Sequence, residues 1–413
     1  MSIASTVLKN GLAKAVRTGS LEVIAADGDR LVFGDGTEPR VRVRLTDERA
    51  LWALLLDPDL KTGELFTDGR LLVEEGTIYD FVSLVLRHGG QIETSKMVRT
   101  INRIRTKTLL WGQRNSPFRA RRNVVHHYDL GDALYALFLD PDWQYSCAYF
   151  ETEGQSLADA QVAKKRHVAS KLRLESDHRV LDIGCGWGGL ACYLAETAGA
   201  AKILGVTLSQ DQLVRARRTA EERGLADRVR FDLTDYRAVR GKFHRIVSVG
   251  MFEHVGLRHY SAFLDSCHSL LTEDGVMLLH TIGCTDAPGL TNPWLTRYIF
   301  PGGHLPSLSD IVSVAERSGL IITDIEILRF HYADTLQAWR ANFMKRRAEA
   351  AAMFDERFCR MWEYYLAMAE AAFRFDTVVV FQVQLTKRRD AVPRTRDYIA
   401  AEEDRLRAIE MAA

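Results

Sequence analysis

Arg179-Val180-Leu181-Asp182-Ile183-Gly184-Cys185-Gly186-Trp187-Gly188-Gly189 is the stretch from which the rest of the chain is read. An apolar run ends in an acid, alternating glycines follow, and an apolar helical pattern (Leu190, Cys192, Tyr193, Leu194) comes next. This is the order of a parallel strand turning into a helix across a nucleotide-sized ligand. The glycines let the backbone turn sharply and approach that ligand closely. Their spacing fits G-x-G-x-G rather than the dinucleotide form G-x-G-x-x-G/A, although Gly189 blurs the distinction. Asp182 at the strand end would repel a pyrophosphate, yet it can help to place a cationic amino-acid group. The balance favours S-adenosylmethionine over NAD.

Downstream residues point the same way. A dinucleotide enzyme places Asp or Glu at the end of its second strand to bind ribose hydroxyls. Here Thr207 stands in that neighbourhood, and Gln212 can supply the missing acceptor and donor through its amide. After the third strand Asp232 and Asp235 are available to face an adenine amino group or to cap a helix.

Composition sets the outer bounds. A chain of 413 residues is long enough for two domains, and 47% hydrophobic with 26% charged residues excludes wholesale disorder. The net charge of +1 carries no global nucleic-acid signature. Six cysteines without metal-binding pairs or disulfide density suit a reduced, cytoplasmic protein. No apolar run approaches the roughly 18 residues of a membrane span, and the first twenty or so residues lack the apolar core and cleavage site of a signal peptide.

Read in order, residues 1–95 form a small α+β domain suited to binding lipid or a partner. It has an opening helix on Leu8, Leu12 and Val16, strands at 21–25, 30–33 and 41–45, a helix over 48–56 capped by Asp47, and another helix within 71–86. Strict alternation at 41–45 predicts a sheet with one apolar face and one wet, basic face. Residues 96–122 are a basic linker interleaved with Leu109, Leu110, Trp111 and Phe118. It reads as a membrane-surface contact or as a solvated linker, and RNA binding lacks a recognition fold.

Residues 123–390 form the catalytic domain. Its strands at 179–183, 202–206, 229–231, 243–249, 275–281, 321–327 and 377–385 alternate with helices, which predicts a Rossmann-like, mostly parallel seven-stranded sheet covered on both faces. The last strand is expected to be an antiparallel edge strand. Residues 158–174 read as a basic amphipathic helix leading into the first strand. Aromatic segments at 290–303 and 333–373 read as insertions forming an apolar pocket, or as core packing. Residues 391–413 are a charged tail with helical character at 398–411.

Three side chains near strand ends can carry chemistry. Glu253 can act as a base, orient one, or only complement a helix dipole. His254 can be a base or a loop partner. His280, ending the buried run Met277-Leu278-Leu279-His280, has the stronger positional claim. No H-E-x-x-H, zinc-spaced cysteine pair or G-x-S-x-G occurs, so no metal site is expected.

Taken together, Tyr145-Ser146-Cys147, the glycine stretch, Gly205-Val206-Thr207-Leu208-Ser209 and Ser248-Val249-Gly250-Met251-Phe252-Glu253-His254-Val255-Gly256 resemble the cyclopropane-fatty-acyl-phospholipid synthase family. Asn292-Pro293-Trp294, Tyr298-Ile299-Phe300-Pro301-Gly302-Gly303 and Met361-Trp362-Glu363-Tyr364-Tyr365-Leu366 continue the likeness. The resemblance implies a class I methyltransferase that methylates a lipid double bond with S-adenosylmethionine and closes a cyclopropane ring. It implies a cofactor site of Tyr145, Ser146, Gly184, Gly186, Thr207, Leu208 and Gln212, with Asp235 near the base. It also implies a bicarbonate ion as general base, held by Cys147, Glu253, His280, the Ile282 backbone and Tyr332. Tyr298, Phe300 or Tyr332 would face the developing cation. The expected acceptor is an unsaturated phospholipid at the membrane surface, reached by a cytoplasmic, peripherally bound homodimer without nucleic acid. A branched methyl or methylene product is the alternative, and a non-catalytic lipid-binding protein the remote one.

Overall fold

The computed structural model describes residues 12, 13, 15–87, 131–289 and 291–412. The basic linker, the segment 123–130 and most of the opening helix lie outside the described residues. The chain divides into two compact units.

The first unit draws on the described parts of Met1–Gly112, Leu290–Pro301 and Ala333–Val378. The two aromatic segments, read from the sequence as insertions of the catalytic domain, therefore cluster with the N-terminal residues. Strands β1 (Ser20–Ile24), β2 (Arg30–Gly34), β3 (Arg40–Leu45) and β4 (Leu71–Glu75) form a sheet in the order β2-β1-β3-β4. β1 pairs antiparallel with β2 and parallel with β3, and β3 pairs antiparallel with β4.

Alternation buries Val41, Val43 and Leu45 as expected. The opposite face is ion-paired rather than openly basic: Arg42 lies 2.6 Å from Glu22 and 3.1 Å from Glu75, and Arg44 lies 2.5 Å from Glu74. Asp47 caps the helix Glu48–Leu56 by accepting from the Ala50 amide at 3.0 Å. The apolar pattern 71–86 is split, because β4 takes its first half and Thr77 starts the helix Ile78–Leu86 through a reciprocal capping box with Asp80.

An unforeseen helix, Pro58–Thr67, packs with Ile78–Leu86 around the long helix Glu356–Phe375. Gly63 is the point of closest approach, since a Cβ there would lie 2.5 Å from Trp294 Nε1 and 2.5 Å from Tyr364 Cε1. Glycine inside a helix costs about 1 kcal/mol relative to alanine. Gly63→Ala is nevertheless expected to destabilise this unit by about 1–3 kcal/mol through overpacking. A higher denaturation midpoint in urea for the variant would contradict that packing.

The second unit comprises the described parts of Gln113–Gly289, Gly302–Tyr332 and Val379–Ala413. Its sheet contains β5 (Arg179–Ile183), β6 (Lys202–Thr207), β7 (Val229–Leu233), β8 (Phe243–Val249), β9 (Leu271–Cys284), β10 (Ile321–Leu328) and β11 (Val378–Thr386) in the order β10-β11-β9-β8-β5-β6-β7. β5 pairs parallel with both β6 and β8, β6 with β7, and β8 with β9, while β10 and β11 are antiparallel. The last strand is therefore interior, and β10 is the edge strand. β11 reads VVVFQVQLT and is buried almost throughout, as a strand between two others must be.

Hydrophobic clusters cover the sheet, one including Leu190, Leu213 and Phe231 and another including Phe243, Phe263 and Ile311. The strand order reverses between β5 and β8, so a crevice opens at their carboxyl ends.

The helix Leu157–Leu172 corrects the sequence reading most sharply. It is not a surface amphipathic helix: Lys164, Lys165, Arg166, His167 and Lys171 are all buried. Each finds a partner: Lys165 lies 2.6 Å from Asp142, Arg166 2.7 Å from Glu151, and His167 2.7 Å from Glu326. The C-terminal helix Asp397–Ala412 packs against it and contributes Glu403 and Glu410 to the same set.

Candidate active site

The glycine loop and the two strand ends beside it converge. Gly184 follows β5 with φ +83°, donates its amide to the Val206 carbonyl at 2.9 Å, and sits so near Met251 that a Cβ would lie 2.8 Å from its Cβ. Any L-residue there is strained as well as blocked. Two residues beyond Met251 stands Glu253, in a single 3₁₀ turn after β8. Gly186 at φ +54° has open space where its Cβ would be, so the loop leaves room for a ligand.

Glu253 Oε1 accepts from the Ile282 amide at 2.6 Å, while Oε2 is buried without a protein partner. Burial pushes this carboxyl up to about 7. Val249 and His280 are register partners in β8 and β9, and the Gly250 amide donates to the His280 carbonyl at 2.9 Å. His280 is buried, and burial followed by the Lys164 and Lys171 charges holds its imidazole well below the usual histidine range. Its Nδ1 lies 3.1 Å from Gln382 Nε2. His254 is likewise held down to about 4 by burial, which favours the neutral loop partner over a cationic role.

Of the expected cofactor residues, Thr207 ends β6, the strand paired with β5. Thr207 Oγ1 donates to Gln212 Oε1 at 3.0 Å and accepts from the Ser209 amide at 3.2 Å. That orientation turns the Gln212 Nε2 donors toward other partners. Leu208 follows, half-buried. Asp235 caps a 3₁₀ turn, and both of its oxygens are held by Arg237 at 2.6 and 2.7 Å. Of the two readings of this residue, the structure displays the cap.

Tyr145 lies edge-on to Tyr135 at 5.2 Å, and Tyr135 in turn to Trp187 of the glycine loop at 5.0 Å. Trp187 is fixed by a 3.1 Å bond to Asp132 Oδ1, and Arg215 covers Trp143 at 3.4 Å. Ser146 Oγ accepts from Lys164 Nζ at 3.0 Å, which leaves its own proton to donate. Cys147 is buried, its thiol 3.2 Å from the Ala148 carbonyl. Tyr332 is buried one residue after His331, whose Nδ1 accepts from the Phe150 amide at 3.0 Å.

Two expected aromatics belong to the other unit. Tyr298 donates to Glu64 at 2.9 Å, and Phe300 lies edge-on to Tyr365 at 5.9 Å.

Sequence reading did not mark Lys164 or Gln382 as site-supporting residues. Lys164 is fully buried, bonded to Gln144 Oε1 at 2.6 Å, and held down to about 8 by desolvation. Asp182, read from the sequence as an acid able to place a cationic amino-acid group, has Oδ2 buried without a partner, and burial pushes it up to about 7. An orphaned carboxyl oxygen on Asp182, two residues before the open glycine loop, suits a ligand that carries positive charge. S-adenosylmethionine meets that description.

The strand order, glycine loop and carboxylate set define a class I S-adenosylmethionine-dependent methyltransferase. Residues 115–383 match the family model described as mycolic acid cyclopropane synthetase. The chain belongs to that family, which includes the cyclopropane-fatty-acyl-phospholipid synthases. It is 38% identical over 336 residues to the cyclopropane-fatty-acyl-phospholipid synthase of Escherichia coli K12, spanning 81% of this chain and 85% of that one. The tuberculostearic acid methyltransferase UfaA1 of Mycobacterium tuberculosis is 40% identical over 281 residues, 65% of each chain. Among solved structures, the mycolic acid cyclopropane synthase CmaA1 with SAH and CTAB superposes with TM-score 0.61 and 35% identity, covering 64% of this chain and 97% of that one.

Proposed function

We propose that this protein methylates the cis double bond of unsaturated phospholipid acyl chains and closes the product to a cyclopropane ring. The observation that carries this reading is Glu253, with one oxygen tied to the Ile282 amide and the other buried unpaired beside the glycine loop's neighbour Met251. S-adenosylmethionine, when bound, supplies an electrophilic methyl group to the alkene's π electrons. Bicarbonate, when bound, supplies the base for the proton lost on ring closure.

The chain's own groups do the holding. Tyr145, Ser146, Gly184, Gly186, Thr207, Leu208 and Gln212 would bind the cofactor, with Asp235 reaching the base through a lone pair not taken by Arg237. Cys147, Glu253, His280, Ile282 and Tyr332 would bind the anion. A carboxyl raised to about 7 is partly protonated near neutral pH, so Glu253 can donate to an anion rather than repel it. Ile282 acts through Glu253, because its amide holds that carboxylate. Burial keeps water from an alkene that is a poor nucleophile and from the cation that follows.

The acceptor chain would come from a bilayer surface met by the first unit. Exposed Trp52 and Leu56 on its helix Glu48–Leu56 support that placement. No helix among the described residues is long and apolar enough to cross a membrane; in this reading the protein associates peripherally with the cytoplasmic face. A homodimer without nucleic acid completes the reading. The 40% identity to a tuberculostearic acid methyltransferase supports a second outcome, a branched product.

Labelled S-adenosylmethionine with unsaturated phospholipid vesicles, with and without bicarbonate, tests the methyl transfer, the acceptor class and the base. Mass spectrometry of the released acyl chains should find label in a cyclopropane ring, with turnover falling when bicarbonate is removed. A labelled methyl branch selects the second outcome, and unlabelled lipid overturns the acceptor class.

A further inference from the structure

His280 is held by a side chain that no motif announces. Gln382 in β11 is fully buried, with Nε2 3.1 Å from His280 Nδ1 and Oε1 2.8 Å from Lys171 Nζ. An ammonium has donors only, so the amide atom facing Lys171 must be the oxygen. The amide NH₂ then faces the imidazole. Because NH₂ only donates, His280 Nδ1 must accept.

A neutral imidazole carries a single proton, which this geometry leaves on Nε2. Burial and two neighbouring lysines keep the ring neutral, so which nitrogen bears the proton is the only freedom left.

We propose that Lys171 and Gln382 are positioning residues that fix His280 in its Nε2–H tautomer, as a hydrogen-bond donor to the anion in the active site. The proposal rests on the reading of His280 as an anion ligand. Lys171 is itself fixed: Glu326 is bonded to its ammonium, His167 Nε2 lies 2.7 Å from Glu326, and Glu403 of the C-terminal helix lies 2.5 Å from His167 Nδ1. A chain of buried polar groups therefore runs from the tail helix to the site, anchored at the Lys171 ammonium, which can only donate, and at the carboxylates, which accept. A histidine donating to a bound ion depends in the same way on what its other nitrogen meets.

The test uses the full chain with ¹⁵N-labelled histidine, the His280 signals being assigned by their loss in His280→Gln. Wild-type protein should show the two-bond ¹⁵N–¹H pattern of the Nε2–H form. Gln382→Glu turns an acceptor toward the ring and should place a proton on Nδ1. Gln382→Met, which removes the donor, should give mixed tautomers. Turnover in Gln382→Met should fall roughly tenfold with S-adenosylmethionine affinity unchanged.

An Nδ1–H tautomer in the wild type, or Gln382 variants whose tautomer and turnover match it, would overturn the proposal. Wild-type turnover that ignores bicarbonate while His280 stays in the Nε2–H form would remove the anion reading and leave the tautomer assignment standing.

Discussion

Glu253→Gln is expected to lower turnover by roughly 10²- to 10⁴-fold while the S-adenosylmethionine dissociation constant changes by less than about threefold. The carboxyl contacts the Ile282 amide with one oxygen and leaves the other unpaired in a buried place, so its work is at the reacting centre. Steady-state kinetics beside cofactor titration reads the split. Equal losses in both would remove Glu253 from the chemistry.

The same substitution carries a stability signature of opposite sign. With a folded value near 7 against an ordinary 4.5, the folded state binds more protons than the unfolded one between those values, so stability falls as pH rises through that window. Above it the ionised, buried Glu253 costs on the order of 3 kcal/mol, a cost absent from a neutral glutamine. Glu253→Gln should therefore melt higher than wild type at pH 8, and the gap should close toward pH 5. A side chain kept for packing would lower the melting point at both.

Much of this site is legible because its strands are buried on both faces and so read as short apolar runs. The glycines that follow β5 occupy conformations or contacts that other residues cannot, and Gly184 beside Met251 is the plainest case. What was not legible depends on partners far away in sequence. The helix Leu157–Leu172 looks like a solvated basic face because Lys171, His167 and Arg166 meet Glu326, Glu403 and Glu410 from 155, 236 and 244 residues on. Interior β11 carries Gln382 and Gln384, which suit an edge until their buried bonds to Lys171 are known. The helix Pro58–Thr67 was obscured by Gly63, whose missing side chain serves packing against helix propensity. At Asp235 the ambiguity was local, since an acid two residues before Arg237 can cap and pair as readily as it can bind a base.

Asp182→Asn is expected to weaken S-adenosylmethionine binding roughly 10- to 100-fold, the scale of one hydrogen bond to a charged group. Asp182 is the penultimate residue of strand β5, two residues before Gly184; its Oδ2 has no protein partner, and burial raises it to about 7, with the Lys164 charge opposing that rise. A fold gains nothing from such a carboxylate, which makes a cationic ligand group its reasonable counterpart.

The pH dependence follows with a definite sign. As pH falls through about 7 the carboxyl gains a proton and its attraction for a cation is lost, so wild-type affinity should decline toward pH 5.5. On the alkaline side it should decline again once the ligand's α-amino group, ordinarily near 8, loses its proton. The amide introduced by Asp182→Asn cannot titrate, so the acid limb should flatten in the variant while the alkaline limb weakens with the lost partner. Trp187 in the glycine loop, 5.0 Å from Tyr135, provides a fluorescence readout for the titrations without any added label. An acid limb that persists unchanged in Asp182→Asn would assign the titration to another group and separate Asp182 from the cofactor's charge.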